Sequence, residues 1–207
     1  YTLPTADGTT GQVLTTDGSG AVTFATAGGG GAALELYAEN PSSPTTNTVT
    51  GSNAVAIGSN ATASGSNSFA GGVNTTASST GSFVYGRNAT SSGADSFAFG
   101  YAALASGSNS ISIGTNTDAT QNSSVAIGSG SQATSAYSFA AGKNSSGAAS
   151  VATSGNAATA LGGSRASGTD SFAAAITNNT STYGASGANA VAIGSLSKAS
   201  NGQTLAL

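Results

Sequence analysis

An apolar residue returns every 14 positions along much of this chain, at Val55, Phe69, Phe83, Phe97, Ile111, Val125 and Phe139. Three positions after each of them stands a glycine: Gly58, Gly72, Gly86, Gly100, Gly114, Gly128 and Gly142. A fixed internal period of this kind marks a repeat architecture, in which each unit buries its apolar surface against its neighbours. The unit is not helical. Its apolar residues stand at i and i+2, the strand period, and Gly or Asn interrupts it about every seventh residue.

Read as columns, the repeats specify two corners. Two positions before the apolar anchor come Asn53, Asn67, Gly81, Asp95, Asn109, Ser123 and Tyr137. Two positions after the glycine come Asn60, Asn74, Asn88, Ala102, Asn116, Gly130 and Asn144. Gly and Asn dominate both columns, and they are the residues that tolerate left-handed backbone. A second, weaker strand follows the second corner, as in Ala61-Thr62-Ala63. Each unit is therefore two short strands and two tight corners, and successive units stack at about 4.8 Å per coil. The predicted fold is all-β, a parallel β-roll, that is, a two-sheet solenoid of 14-residue coils.

The columns also suggest faces. Val55 and Ile57 are expected to face Ala61 and Ala63 across a thin interior. Ala56 and its equivalents would then point outward, where small side chains suit close approach between chains, and Thr62 and its equivalents would meet water. One coil buries roughly two large side chains, worth about 1.5–3 kcal/mol each. Backbone ordering costs about 1–2 kcal/mol per residue, so a single roll is marginal and a homotrimer is the expected remedy.

After Phe139 the period falters. Val151, 12 residues on, reads as the next anchor, and Thr159-Ala160-Leu161-Gly162 as a weak copy. Phe172 opens a stretch without the usual glycine, and an insert over 176–187 precedes a full return at Asn189-Ala190-Val191-Ala192-Ile193-Gly194. Ahead of the repeats, 1–27 reads as a short β segment, with strands at Gln12-Val13-Leu14-Thr15-Thr16 and Ala21-Val22-Thr23-Phe24 between Asp-Gly turns at Asp7-Gly8 and Asp17-Gly18. The stretch 28–50 is a glycine-rich joint and extended connector, in which 32–40 has some helical flavour and Pro41 and Pro44 restrict the backbone. The repeats occupy 51–200, and 201–207 is a terminal strand expected to continue into further chain.

Composition removes most chemistry. The 207 residues include no Cys, His, Met or Trp, and charged residues make up 5% of them. That excludes disulfides, thiolate and imidazole catalysis and the common zinc sets. A net charge of −3 offers no basic footprint for nucleic acid, and no apolar run reaches a membrane span. Asp7, Asp17, Glu35, Glu39, Asp95, Asp118 and Asp170 are scattered rather than paired, and no Gly-x-Ser-x-Gly elbow occurs. No enzyme activity and no cofactor are expected. Sequons at Asn60, Asn74, Asn88, Asn122, Asn144, Asn178 and Asn179 mostly coincide with the corner asparagine, so the turn accounts for them. Candidate receptor contacts are Arg87, Tyr101 and Lys143, which share the column after the glycine, together with Arg165 and Tyr183. Cations can touch anionic glycans and tyrosines can stack on sugars. Such residues also serve simply to keep an uncharged surface soluble or to cap a coil.

The segments Asn53-Ala54-Val55-Ala56-Ile57-Gly58, Ser124-Val125-Ala126-Ile127-Gly128 and Asn189-Ala190-Val191-Ala192-Ile193-Gly194 resemble the head repeats of YadA-type trimeric adhesins over roughly 51–200. The resemblance implies a left-handed roll, three chains side by side and an adhesive role. The opening LPTADGTTGQVLTTDGSGAVTF, residues 3–24, is similar to a module of bacteriophage tail fibres. Together they imply a virion tail-fibre segment that contacts itself, other tail or fibre proteins and a host glycan or outer-membrane receptor. The alternative is a bacterial cell-surface adhesin head binding matrix or glycans.

Overall fold

The computed structural model describes residues 4, 9, 12–16, 19–26, 46–143, 149–152, 155–176 and 182–207. The chain divides into two units, Tyr1–Leu36 and Tyr37–Leu207. In the first, Gln12–Thr16 and Val22–Thr26 pair antiparallel, with Gln12 opposite Thr26 and Thr16 opposite Val22. Both strands fall where β-branched and aromatic residues were expected to place them. The Asp-Gly turns, the glycine joint, the 32–40 stretch and both connector prolines lie outside the described residues.

The second unit is a parallel β-solenoid of two 11-stranded sheets, and no helix occurs among the described residues. Each coil gives a longer strand to one sheet and a two-residue strand to the other, as in Val55–Ser59 and Thr62–Ala63. Strands pair with their equivalents one coil away, so Val55 lies opposite Phe69, Phe69 opposite Phe83 and Phe83 opposite Phe97. Both corner columns are left-handed. Asn53 has φ 55° and Asn60 φ 56°, and the same geometry is imposed on Tyr137 (59°) and Gln203 (58°). The corner asparagines also join coil to coil, Asn60 Nδ2 donating to Asn74 Oδ1 at 2.9 Å and Asn74 Nδ2 to Asn88 Oδ1 at 3.1 Å. Gly100, in the recurring glycine column, has φ 135°, and a Cβ there would strike the carbonyl of Gly114 in the next coil.

The faces are the reverse of those expected. Ala70, Val84, Ala98, Ala126 and Ala140 are fully buried, whereas Val55 and Phe99 are each 45% exposed and Tyr85 is 49% exposed. The Ala56 column thus points inward and meets Ala61, Ala63 and their equivalents, while the Val55 and Ile57 columns point out. The reason is room. Only Asn60 and Ala61 separate the two strands of a coil, so the sheets stand too close for anything much larger than a methyl or hydroxymethyl group. Val84 and Ile176 are the largest fully buried side chains. The Thr62 column lies on the outer face of the short-strand sheet, as expected.

Serine fits this interior by size, and in several coils its hydroxyl is satisfied locally, whereas the buried hydroxyls of Ser68, Ser110, Ser171 and Thr75 have no partner among the described residues. Ser82, Ser96, Ser124 and Ser138 each donate to the carbonyl three residues back, at 2.6–2.7 Å. Where Ser112 replaces the core alanine, its Oγ donates to Thr117 Oγ1 at 2.8 Å. Paired hydroxyls avoid most of the penalty for burying polar groups.

Val151 is not an anchor. It pairs with Gln132 in the short-strand sheet, and Thr159 succeeds Phe139 in the long-strand sheet. The extra residues of this coil lie between Lys143 and Ala149, which form an antiparallel bridge, so the expansion leaves the sheets in register. Phe172 then pairs with Thr159, and Ala175 takes the glycine position at φ 58°. At the second expansion Ile176 turns inward and is fully buried.

Ala98→Leu is expected to lower stability by about 1–3 kcal/mol through overpacking. Gly100→Ala should cost a comparable amount, about 1–3 kcal/mol, through backbone strain and the contact with Gly114. Thr76→Ser, on the outer face of the short-strand sheet, should stay within about 0.5 kcal/mol. Denaturant unfolding of the three variants checks the assignment of faces.

Candidate functional site

Two surfaces of the roll carry side chains able to recognise something. The first is the edge column that follows the recurring glycine. There the long strands extend to Val73, Arg87 and Tyr101, each opposite the next. The Arg87 guanidinium lies over the Tyr101 ring, 4.5 Å from its centroid. All three residues are exposed, and the Asn60–Asn74–Asn88 ladder begins at the adjoining corner. An exposed cation–π contact of this kind is worth about 0.5–1 kcal/mol. It holds the guanidinium against the ring at an exposed position of the roll.

The structure brings only some of the sequence candidates together. Arg87 and Tyr101 touch, and Lys143 stands on the same edge three coils further on, exposed beside the first expansion. Arg165 is in the other sheet, in the Thr62 column, opposite Val151. Tyr183 is half-buried and packs against the alanine core, so it anchors the coil after the second expansion instead of projecting from it.

The second surface is the outer face of the long-strand sheet, whose columns are expected from the sequence to point inward. Its first column runs Val55, Phe69, Phe83, Phe97, Ile111, Val125, Phe139, Thr159, Phe172, Val191 and Leu205. The second begins Ile57, Gly71, Tyr85, Phe99, Ile113 and Ile127. Neither column contains a charged residue. Over the early coils the rings stack. Phe69 and Phe83 centroids are 4.7 Å apart, Phe83 and Phe97 5.0 Å, and Tyr85 and Phe99 5.6 Å, all near parallel. The signal that could have revealed this face was variability. A column that accepts Ile, Gly, Tyr and Phe in turn is not confined within a packed interior.

The described acids have local duties. Asp95 and Asp170 occupy left-handed corners at φ 51° and 53°, and Asp118 Oδ2 accepts from Gln132 Nε2 at 3.4 Å. Among the described residues, no three His, Cys, Asp or Glu side chains are grouped to hold a metal ion.

A family model described as the YadA head domain repeat, in two copies, matches residues 50–75, 91–117, 119–145 and 185–207, just under half of the chain. The coils between these stretches continue the same two sheets in the same strand order. No curated protein matches the chain.

In a double-mutant cycle, Arg87→Ala and Tyr101→Ala should show a coupling energy of about 0.5–1 kcal/mol in unfolding free energy. Strict additivity would mean that the contact contributes nothing.

Proposed function

We propose that this chain, whose coils carry YadA head domain repeats, is the shaft and receptor-presenting part of a homotrimeric surface fibre that attaches to a host cell. The observation that carries this reading is the pair of uncharged columns on the outer face of the long-strand sheet. One copy leaves Val55, Tyr85 and Phe99 nearly half exposed, in a patch continuous along the roll. Soluble monomers rarely tolerate an apolar patch of that extent. Three copies around a common axis cover it and leave the asparagine corners and the Thr62 column in water.

Recognition on such a fibre is multivalent, because three equal sites on one rigid axis act together. Arg87 and Tyr101 form the centre of each site, with Lys143 further along the same edge and Arg165 on the second sheet. The ligand class is a cell-surface glycan or an outer-membrane receptor, bound without covalent chemistry and without a cofactor. The opening segment 3–24, which resembles a tail-fibre module, favours a bacteriophage tail fibre in contact with other tail proteins. The YadA repeats themselves favour the second setting, the head of a bacterial surface adhesin.

Gold-labelled antibody against the chain should mark virion appendages, and label confined to bacterial surfaces would establish the second setting instead. In the assembled fibre, replacing both Arg87 and Tyr101 with Ala should weaken binding to receptive cells about tenfold or more, because the loss is repeated at three linked sites. Unchanged binding by the correctly assembled variant would remove this edge from the receptor site.

A further inference from the structure

A solenoid that associates through its repeating face has a register problem. Coils recur every 14 residues, about 4.8 Å along the axis, so a copy displaced by one coil presents nearly the same columns to its neighbour. Weakly specified alignments of this kind slip unless some feature breaks the repeat.

We propose that the five rings Phe69, Phe83, Phe97, Tyr85 and Phe99 are the register lock of the self-associated fibre. The inference rests on the self-association reading above. Its occupant is a second copy of this chain, for two reasons visible on the face itself. Both columns are uncharged, and only a surface with the same coil spacing stays commensurate with them over 11 strands.

These five rings occupy three adjacent coils of the long-strand sheet, and the two further phenylalanines of the first column, Phe139 and Phe172, stand singly beyond the aliphatic coils of Ile111 and Val125. Phe97 and Phe99 link the two columns within one coil, with centroids 6.4 Å apart and planes 6° from parallel. Gly71 is the other half of the device. A Cβ at Gly71 would press on Tyr85 Cδ2 at 2.7 Å and Phe69 Cε1 at 2.8 Å, so the rings lean into the space this glycine leaves. Aliphatic pairs flank the block on both sides, Val55 with Ile57 before it and Ile111 with Ile113 after it. The face is therefore a tall aromatic ridge between lower aliphatic ground. Aligned copies set ridge beside ridge, whereas a one-coil displacement sets rings against aliphatics at both ends of the block and opens gaps beside it. Aromatic pairs favour each other beyond simple area burial, and that preference is spent only when the blocks are level.

The native chain has no cysteine, so introduced thiols report alignment directly. Mass-tagged Ile127→Cys chains, co-assembled with chains carrying Ile113→Cys, Ile127→Cys or Ala141→Cys, are joined by a short thiol cross-linker and the pairs quantified. With the native rings, same-coil pairs should exceed one-coil-displaced pairs by about tenfold or more, the scale set by a difference of about 1.4 kcal/mol. Replacing the rings with the flanking pattern (F69V, F83V, Y85I, F97V and F99I) should bring displaced pairs close to parity while assembly persists. A version with all five rings changed to Leu keeps the apolar area if the first variant does not fold. Retention of the native preference in either folded, assembled variant would overturn the register lock. Failure of the native chain to self-associate at all would instead overturn the reading on which it rests.

Discussion

The thinness of the interior governs everything else in this roll. Two residues carry the chain from one sheet to the other at Asn60-Ala61, and they can do so only because Asn60 accepts a left-handed φ of 56°. Sheets joined so tightly leave space for little more than methyl and hydroxymethyl groups. The core therefore consists of ladders of Ala with Ser and Thr, and its largest fully buried members are Ile176 and Val84. A core of methyls contributes little per residue, since hydrophobic stabilisation follows apolar area removed from water, at about 25 cal/mol per Å².

The same constraint drives the large side chains outward. Phe69, Phe83, Phe97 and their aliphatic equivalents have no place between the sheets, so they form the outer face of the long-strand sheet. There they gain from stacking on one another, about 0.5–1.5 kcal/mol per pair beyond area burial. On the proposed reading, what remains exposed on one copy is the surface a further copy removes from water. In this account, assembly is the second half of core formation. The side chains a folding coil would ordinarily bury inside itself would then be buried between chains instead.

Much of this was legible in the sequence. The period of 14, the two corners and the parallel stacking follow from columns of Gly, Asn and apolar residues, and left-handed φ appears at the corners those columns marked. The sidedness is not legible from size, because large residues do not mark the interior when the sheets stand this close. Alternation alone fixes which residues share a face, not which face is inside. What decides it is that the column from Ala56 to Ala140 stays small, with only Val84 and Ser112 departing from Ala, against the variety of Ile57, Gly71, Tyr85 and Phe99. Val151 was misplaced for a related reason. An expansion between Lys143 and Ala149 shifted the count, and Thr159, a polar residue in an otherwise apolar column, hid the true anchor. Of the candidate contacts, Arg87 and Tyr101 were placed side by side by their shared column. The packing of Tyr183 depended on an insert whose path no column encodes.

The alanine ladders are internal, and on the proposed reading the large apolar columns are closed by further copies of the chain. Sedimentation equilibrium of the chain across a wide dilution series, with circular dichroism recorded on the same samples, tests it most directly. A species of about three times the 19.3 kDa chain mass is expected, whose dissociation on dilution coincides with loss of strand signal, as for obligate oligomers. A dilute species that sediments at the mass of one chain while keeping its full strand signal would contradict it.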